Sequence, residues 1–394
     1  MITRFHVENF KSLAKFDLPP AGHRLGPFTC LIGLNGSGKS TLLQAFDFAA
    51  HIVTGKVEDW LKQRNWKPSD VVTNLGKRTF VVCFEVGFRD ETGREATWSA
   101  RYNASQLRCT WEKVESNGRP LLELESERLS LAGTAGELSS SGEKLDLDYK
   151  GSVLSVLQLK EKHPLLTLVK ESLKQLKSLE LLSPQLLRKR AYAAEDIGVG
   201  GEKLSAFLAG LAPHKKAALS VALQQFYPHL ESWRVQSLQS GWKDLRVVEL
   251  YEGRHTVQAA HMNDGFLRTM AILAQVHSPH TFLLFDEIEN GINPELVEKL
   301  VDFLITCGKQ IVVTTHSPMI LNYLPDNLAK EGVILLYKTQ KGETRSGRFF
   351  DLPVTQEKLR ALGPGEVFVD TRQSDLAAEL EQQPNGSSAN SPQS

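Results

Sequence analysis

The chain has 394 residues, 41% of them hydrophobic and 23% charged, with 46 basic side chains against 46 acidic ones. That length can bury two or three cores, and the composition is that of a globular protein rather than a disordered or membrane one. The even charge balance excludes a general polycation, so any nucleic-acid contact needs a local basic patch.

At the N-terminus, MITRFHVENFKSL has charges where a signal peptide carries its apolar core, and no run of eighteen apolar residues occurs anywhere. The widely spaced Cys30, Cys83, Cys109 and Cys307 form no CxxC pair, which fits reduced thiols. A soluble cytoplasmic protein without membrane contact is expected. Residues 2–7 and 14–18 alternate as short strands do, and FTCLI (28–32) reads as a buried strand ending at Gly33. Leu42, Leu43 and Phe46 continue at helical spacing. From Arg78 to Trp111 the chain reads as a β-meander, whereas 115–152, rich in Gly, Ser and Glu, reads as loop.

Between Pro164 and Trp233 the periodicity becomes helical. Leu165, Val169, Leu173 and Leu176 share one face, and Leu204, Phe207, Leu208 and Leu211 repeat the pattern. No heptad run long enough for a coiled-coil arm is present. Strand-like runs return at LRVVEL, TFLLFD, QIVVTT and GVILLYK, and the final QPNGSSANSPQS reads as a disordered tail.

Three motifs carry chemistry. Gly33-Leu-Asn35-Gly36-Ser37-Gly38-Lys39-Ser40-Thr41 fits the phosphate-loop pattern G-x-x-x-x-G-K-[ST] between a strand and a helix. Glycines let successive backbone N–H groups curl around phosphate, and the following helix points its positive end there. Lys39 can reach the β and γ phosphates of ATP, and Ser40 can ligate Mg2+. Second, TFLLFDEIENGINP (281–294) ends a hydrophobic strand in Asp286, which can hold magnesium directly or through water, and Glu287, which can polarise the attacking water. Third, QIVVTTHSP (310–318) ends a further strand at His316.

Together ENFKSL, GLNGSGKST, MNDGFLRTMAIL, LLFDEIENGINP and TTHSP resemble, in that order, the ABC-type ATPases of the SMC, RecF and overcoming-lysogenisation-defect branch. The resemblance implies an α/β fold, a P-loop ATPase head with an antiparallel β meander and an inserted helical lobe. On that reading, 1–152 carry the P-loop and meander and 153–240 form the helical lobe. Residues 241–372 carry the signature, the acidic strand and a γ-phosphate-sensing His316, and 373–394 are a disordered tail. It also implies a homodimer or higher homo-oligomer in which two heads sandwich ATP head to tail. Asn263, Asp264 and Gly265 then form the signature that meets the partner's nucleotide, with Asn263 where a serine is usual, and ENGI (289–292) crosses the interface. Lys11 approaches phosphate or adenine.

Stand-alone heads of this kind look like the ATPase components of Septu, PARIS or retron-associated anti-phage systems, where an oligomeric scaffold holds an effector, a nuclease or toxin. The alternatives are a RecF-like DNA clamp and a non-hydrolysing scaffold. Asp146-Leu-Asp148 matches D-x-D but reads as an ordinary strand, so no nuclease site is expected. DNA remains a candidate partner through Arg188-Lys189-Arg190 or Lys215-Lys216, although no stacking aromatics are interleaved with those runs.

Overall fold

The computed structural model describes residues 1–76, 79–132, 143–144, 148–159, 163–180 and 183–382. The chain forms two compact units, Met1–Leu176 with Asp326–Ser394, and Lys177–Pro325.

The first unit begins with β1 (Ile2–Phe10), β2 (Leu13–Leu18), β3 (Phe28–Ile32), α1 (Lys39–Val53) and α2 (Val57–Arg64). The meander follows as β4 (Val81–Arg89), β5 (Glu95–Asn103), β6 (Arg108–Ser116), β7 (Arg119–Glu125), β8 (Arg128–Leu131) and β9 (Glu143–Lys144), and then α3 (Pro164–Lys174). One antiparallel sheet runs in the order β2-β1-β4-β5-β6-β7-β8-β9. Alternation sets its inner face: Val82, Phe84, Val86 and Phe88 of β4 are buried, as are Ala96, Trp98, Ala100 and Tyr102 of β5. That face packs on α1. The Phe5 ring stacks on Phe46 at 3.8 Å, and Phe48 meets Trp60 at 4.7 Å and Tyr102 at 5.2 Å. Each such buried ring contributes roughly 1.5–3 kcal/mol. The helix that opens at the phosphate loop is thereby fixed along its length.

The second unit contains β10 (Leu176–Leu179), α4 (Pro184–Leu187), α5 (Leu204–Gly210), α6 (Pro213–Phe226), β11 (Leu230–Ser237), β12 (Lys243–Leu250) and β13 (Arg254–Gln258). It continues with α7 (Asp264–Val276), β14 (Phe282–Phe285), α8 (Pro294–Thr306), β15 (Gln310–Thr314) and α9 (Pro318–Asn322). β14 and β15 pair in parallel from Phe282↔Gln310 to Phe285↔Val313. Both are buried throughout, as the continuous apolar runs FLLF and QIVVT require of strands covered on both faces.

The chain then returns to the first unit with α10 (Asp326–Gly332), β16 (Val333–Lys338), β17 (Thr344–Arg348), α11 (Pro353–Lys358), α12 (Pro364–Val369) and α13 (Gln373–Gln382). β16 pairs in parallel with β3 and antiparallel with β17.

The fold corrects several expectations. Residues 119–131, read as loop, extend the meander: Leu122 and Leu124 are buried while Glu123 and Glu125 face outward, the period of two of a strand with one covered face. In α3 the buried face is Leu166, Val169 and Leu173, while Leu176 opens a strand. The helical stretch is followed before residue 240 by β11. Residues 373–382 are helix, not tail; Leu376 is buried and Leu380 lies against Gly347. The rest of the expected tail lies outside the described residues, as does Asp146, and Asp148 belongs to no strand.

Candidate functional site

The phosphate loop joins β3 to α1. Gly33 (φ 150°), Gly36 (φ 78°) and Gly38 (φ 107°) all have positive φ, where side chains are strained. A Cβ on Gly33 would collide with the Leu336 carbonyl, and one on Gly38 with the Thr344 hydroxyl. Thr344 braces the loop further: its hydroxyl donates to the Ser37 carbonyl at 2.9 Å and lies 2.9 Å from the Ser12 hydroxyl. The FKSL segment thus acts in part by shaping the loop. Lys39 is buried, its ammonium donating to the Gly33 carbonyl at 2.7 Å and the Leu34 carbonyl at 3.3 Å. Leu34, Asn35, Gly36 and Ser40 are exposed, and Thr41 is half-buried.

Gly38 caps α1 in a left-handed conformation, and no acidic residue occupies the first turn to oppose an anion. The buried Ser37 hydroxyl has no hydrogen-bond partner among the described residues. A glycine cradle, an orphaned hydroxyl and a lysine at a fifteen-residue helix's N-terminus fit a polyphosphate. Lys11, in the left-handed region (φ 47°), holds its ammonium 3.4 Å from the centre of the Trp66 ring and 2.9 Å from Gln44 Oε1 on α1.

In the second unit, Asp286 and Glu287 follow β14 directly. The Thr314 hydroxyl at the end of β15 donates to Asp286 Oδ1 at 2.6 Å and accepts the Glu287 amide at 2.8 Å. Glu287 has φ 47°, an unusual value for a glutamate, and Asn290 Nδ2 donates to its Oε2 at 3.0 Å. The strand end, the hydroxyl and the amide together orient both carboxylates. His316 is exposed, and its amide donates to Glu289 Oε1 at 2.9 Å.

The signature lies at the start of α7. Asn263 is the N-cap, its Oδ1 accepting the Phe266 amide at 3.2 Å. Gly265 is required by close approach: a Cβ there would lie 2.6 Å from the Gly291 carbonyl. Arg268, one turn along, donates from Nη1 to the Asn290 carbonyl at 2.6 Å. Burial pulls its guanidinium below the usual arginine value, opposed by Asp264 and Glu287. Signature, ENGI segment and Glu287 are therefore one connected network within this unit.

Residues 28–322 match the family described as "AAA domain, putative AbiEii toxin, Type IV TA system" (AAA_21). The chain belongs to the AAA_21 family. A segment of 73 residues is 40% identical to an OLD nuclease of Thermus scotoductus, covering 18% of this chain and 12% of that relative. The chain therefore matches only a small part of the relative's length.

Two solved structures share the fold. A Smc head bound to the C-winged helix domain of ScpA aligns with TM-score 0.53 and 15% identity over 88% of this chain and 96% of that one. The Smc head domain of Pyrococcus furiosus, with an extended coiled coil and bound to the C-terminal domain of ScpA, gives 0.54 and 14% over 91% and 99%. This AAA_21 member thus shares its α/β fold, with mixed sheets and several helices, with the Smc heads. Among the described residues no helix is long and apolar enough to cross a membrane.

Sequence reasoning placed the loop, the acidic pair and the signature on the elements where they stand, but missed Thr344, Thr314 and Asn290 as supports. Thr314 had a signal, a hydroxyl two residues before His316 in TTHSP; Thr344, far from any motif, had none.

Proposed function

We propose that this AAA_21 protein binds and hydrolyses ATP with magnesium, and that ATP assembles it into a homodimer or higher oligomer controlling a partner effector in anti-phage defence. ATP is the substrate. The phosphate-loop amides and Lys39 hold its phosphates, and the Ser40 hydroxyl and Asp286 carboxylate are the oxygens suited to magnesium. When bound, the ion neutralises charge that develops on the transferred phosphoryl group. Glu287 orients the attacking water and takes its proton; His316 senses the γ-phosphate. Asn263, Asp264 and Gly265 serve the nucleotide of a neighbouring subunit.

The observation that carries this reading is the Thr314 hydroxyl bonded to Asp286 while accepting the Glu287 amide, a device that holds two adjacent carboxylates in different directions. The family description and the OLD nuclease similarity support the effector and defence part. Calorimetry tests the nucleotide step: Lys39→Ala should abolish useful ATP binding, and parental affinity in that variant would overturn it. Co-purification tests the effector, which should be a nuclease or toxin retained in the presence of ATP.

A further inference from the structure

The two basic runs of the sequence have different fates. Lys215 donates to the His277 carbonyl and Lys216 to the Ala209 carbonyl, both at 2.8 Å, so they close helix ends. Arg188, Lys189 and Arg190 instead line an open groove with Trp242 and Asp244, enclosing about 1270 Å³ with open solvent included. All these residues belong to the second unit.

Arg188 and Arg190 are fixed in place. Arg188 donates to the Met262 carbonyl at 2.7 Å and to the Asp264 carboxylate, and Arg190 Nε donates to Asp244 Oδ1 at 2.9 Å. Lys189 is exposed, and its ammonium has no partner among the described residues. The three cations therefore face two carboxylates: Asp264 is taken by Arg188, and Asp244 is shared between Arg190 and Arg246, the latter at 3.3 Å, which leaves the Lys189 charge over. Arg246 stands directly opposite Arg234 across β11 and β12, a like-charged pair that destabilises a sheet. Stability does not call for this concentration of positive charge.

An aromatic ring, Trp242, lines the groove and a second, Tyr192, packs on it, contrary to the sequence reading. Tyr192 is two residues beyond Arg190, and the turn between β11 and β12 brings in Trp242. The left-handed Ser240 (φ 64°) and Gly241 (φ 83°) shape that turn, and the Trp242 carbonyl accepts the Leu238 amide at 2.8 Å. The two ring centres are 3.9 Å apart, yet Tyr192 is 50% and Trp242 37% exposed. A tilted aromatic pair, its rings at 35°, left half in water beside the exposed Lys189 and two held guanidinium groups offers π-surface to bases and charge to phosphates.

We infer that this groove binds single-stranded nucleic acid, with bases on the Trp242–Tyr192 ledge and backbone phosphates along Arg188–Arg190. A duplex buries its base faces and cannot use the ledge. The site needs no ATP hydrolysis, so it stands or falls apart from the proposed enzymatic role.

The test is fluorescence anisotropy of the full chain with labelled oligonucleotides of about 20 residues, single-stranded and duplex, across a salt series. The single strand should bind at least tenfold more tightly than the duplex. Trp242→Ala should weaken single-strand binding about tenfold, with Trp242→Phe retaining most of the affinity. Lys189→Ala, a change at an exposed side chain, should lower the salt slope by about 1. Equal binding of duplex and single strand, indifference to both Trp242→Ala and Lys189→Ala, or no binding at low salt by folded protein would each overturn the inference.

Discussion

Thr314 and Asp286 meet through a 2.6 Å hydrogen bond from the threonine hydroxyl to the carboxylate, and the same hydroxyl receives the amide of Glu287. One side chain on a neighbouring strand thus fixes the direction of the acidic pair. Thr314→Val keeps the shape and removes the bond. A hydrogen bond to a charged group contributes about 1.5–3 kcal/mol, so phosphate release should fall roughly 10- to 100-fold. The magnesium dependence should shift to higher concentration, which a merely structural role for Thr314 would not produce.

Gly265 is predicted to act on a neighbour's nucleotide rather than its own. A Gly265→Asp subunit should bind ATP through its own loop and be inactive alone, as should Lys39→Ala. Mixed, they form dimers in which one composite site carries both defects and the other neither, so part of the activity should return. Because a Cβ at this position presses on the Gly291 carbonyl, thermal melting must first show the variant folded. A dead mixture of folded, associated subunits would remove the trans arrangement.

Stability should respond to acid through His280. Burial first, then Lys177 and Lys309, pull its imidazole down to about 4, with Asp196 partly opposing. A folded value below the unfolded one, near 6.5, means that its contribution is complete above about pH 6.5. That contribution is lost as pH falls toward 4, and it amounts to at most about 3 kcal/mol. His280→Gln should flatten the melting temperature between pH 6.5 and 4; an unchanged pH profile would contradict the assignment.

Much of the site was legible because its chemistry is local. The loop needs glycines at positive φ in sequence with Lys39, and the acidic pair must follow an apolar strand directly. What stayed hidden depends on distant pairing. Thr344 is apart from the loop it braces by most of the chain, and the Trp242–Tyr192 ledge exists only once β11 and β12 turn. The meander beyond residue 115 was missed for a different reason: the alternation of LLELE is short and sits in a stretch whose Gly, Ser and Glu content reads as loop. Residues 373–382 read as tail because their few apolar side chains make sense only against Gly347 and its neighbours.

The most direct measurement is steady-state phosphate release by Glu287→Gln alongside ATP binding by calorimetry. The amide keeps the shape and the Asn290 neighbourhood but loses the charge that orients and deprotonates water. ATP affinity should stay within a few-fold of the parent while turnover falls by about 100-fold or more, on the order of 3 kcal/mol in barrier. Turnover equal to the parent's would contradict the account and leave Glu287 without a part in hydrolysis.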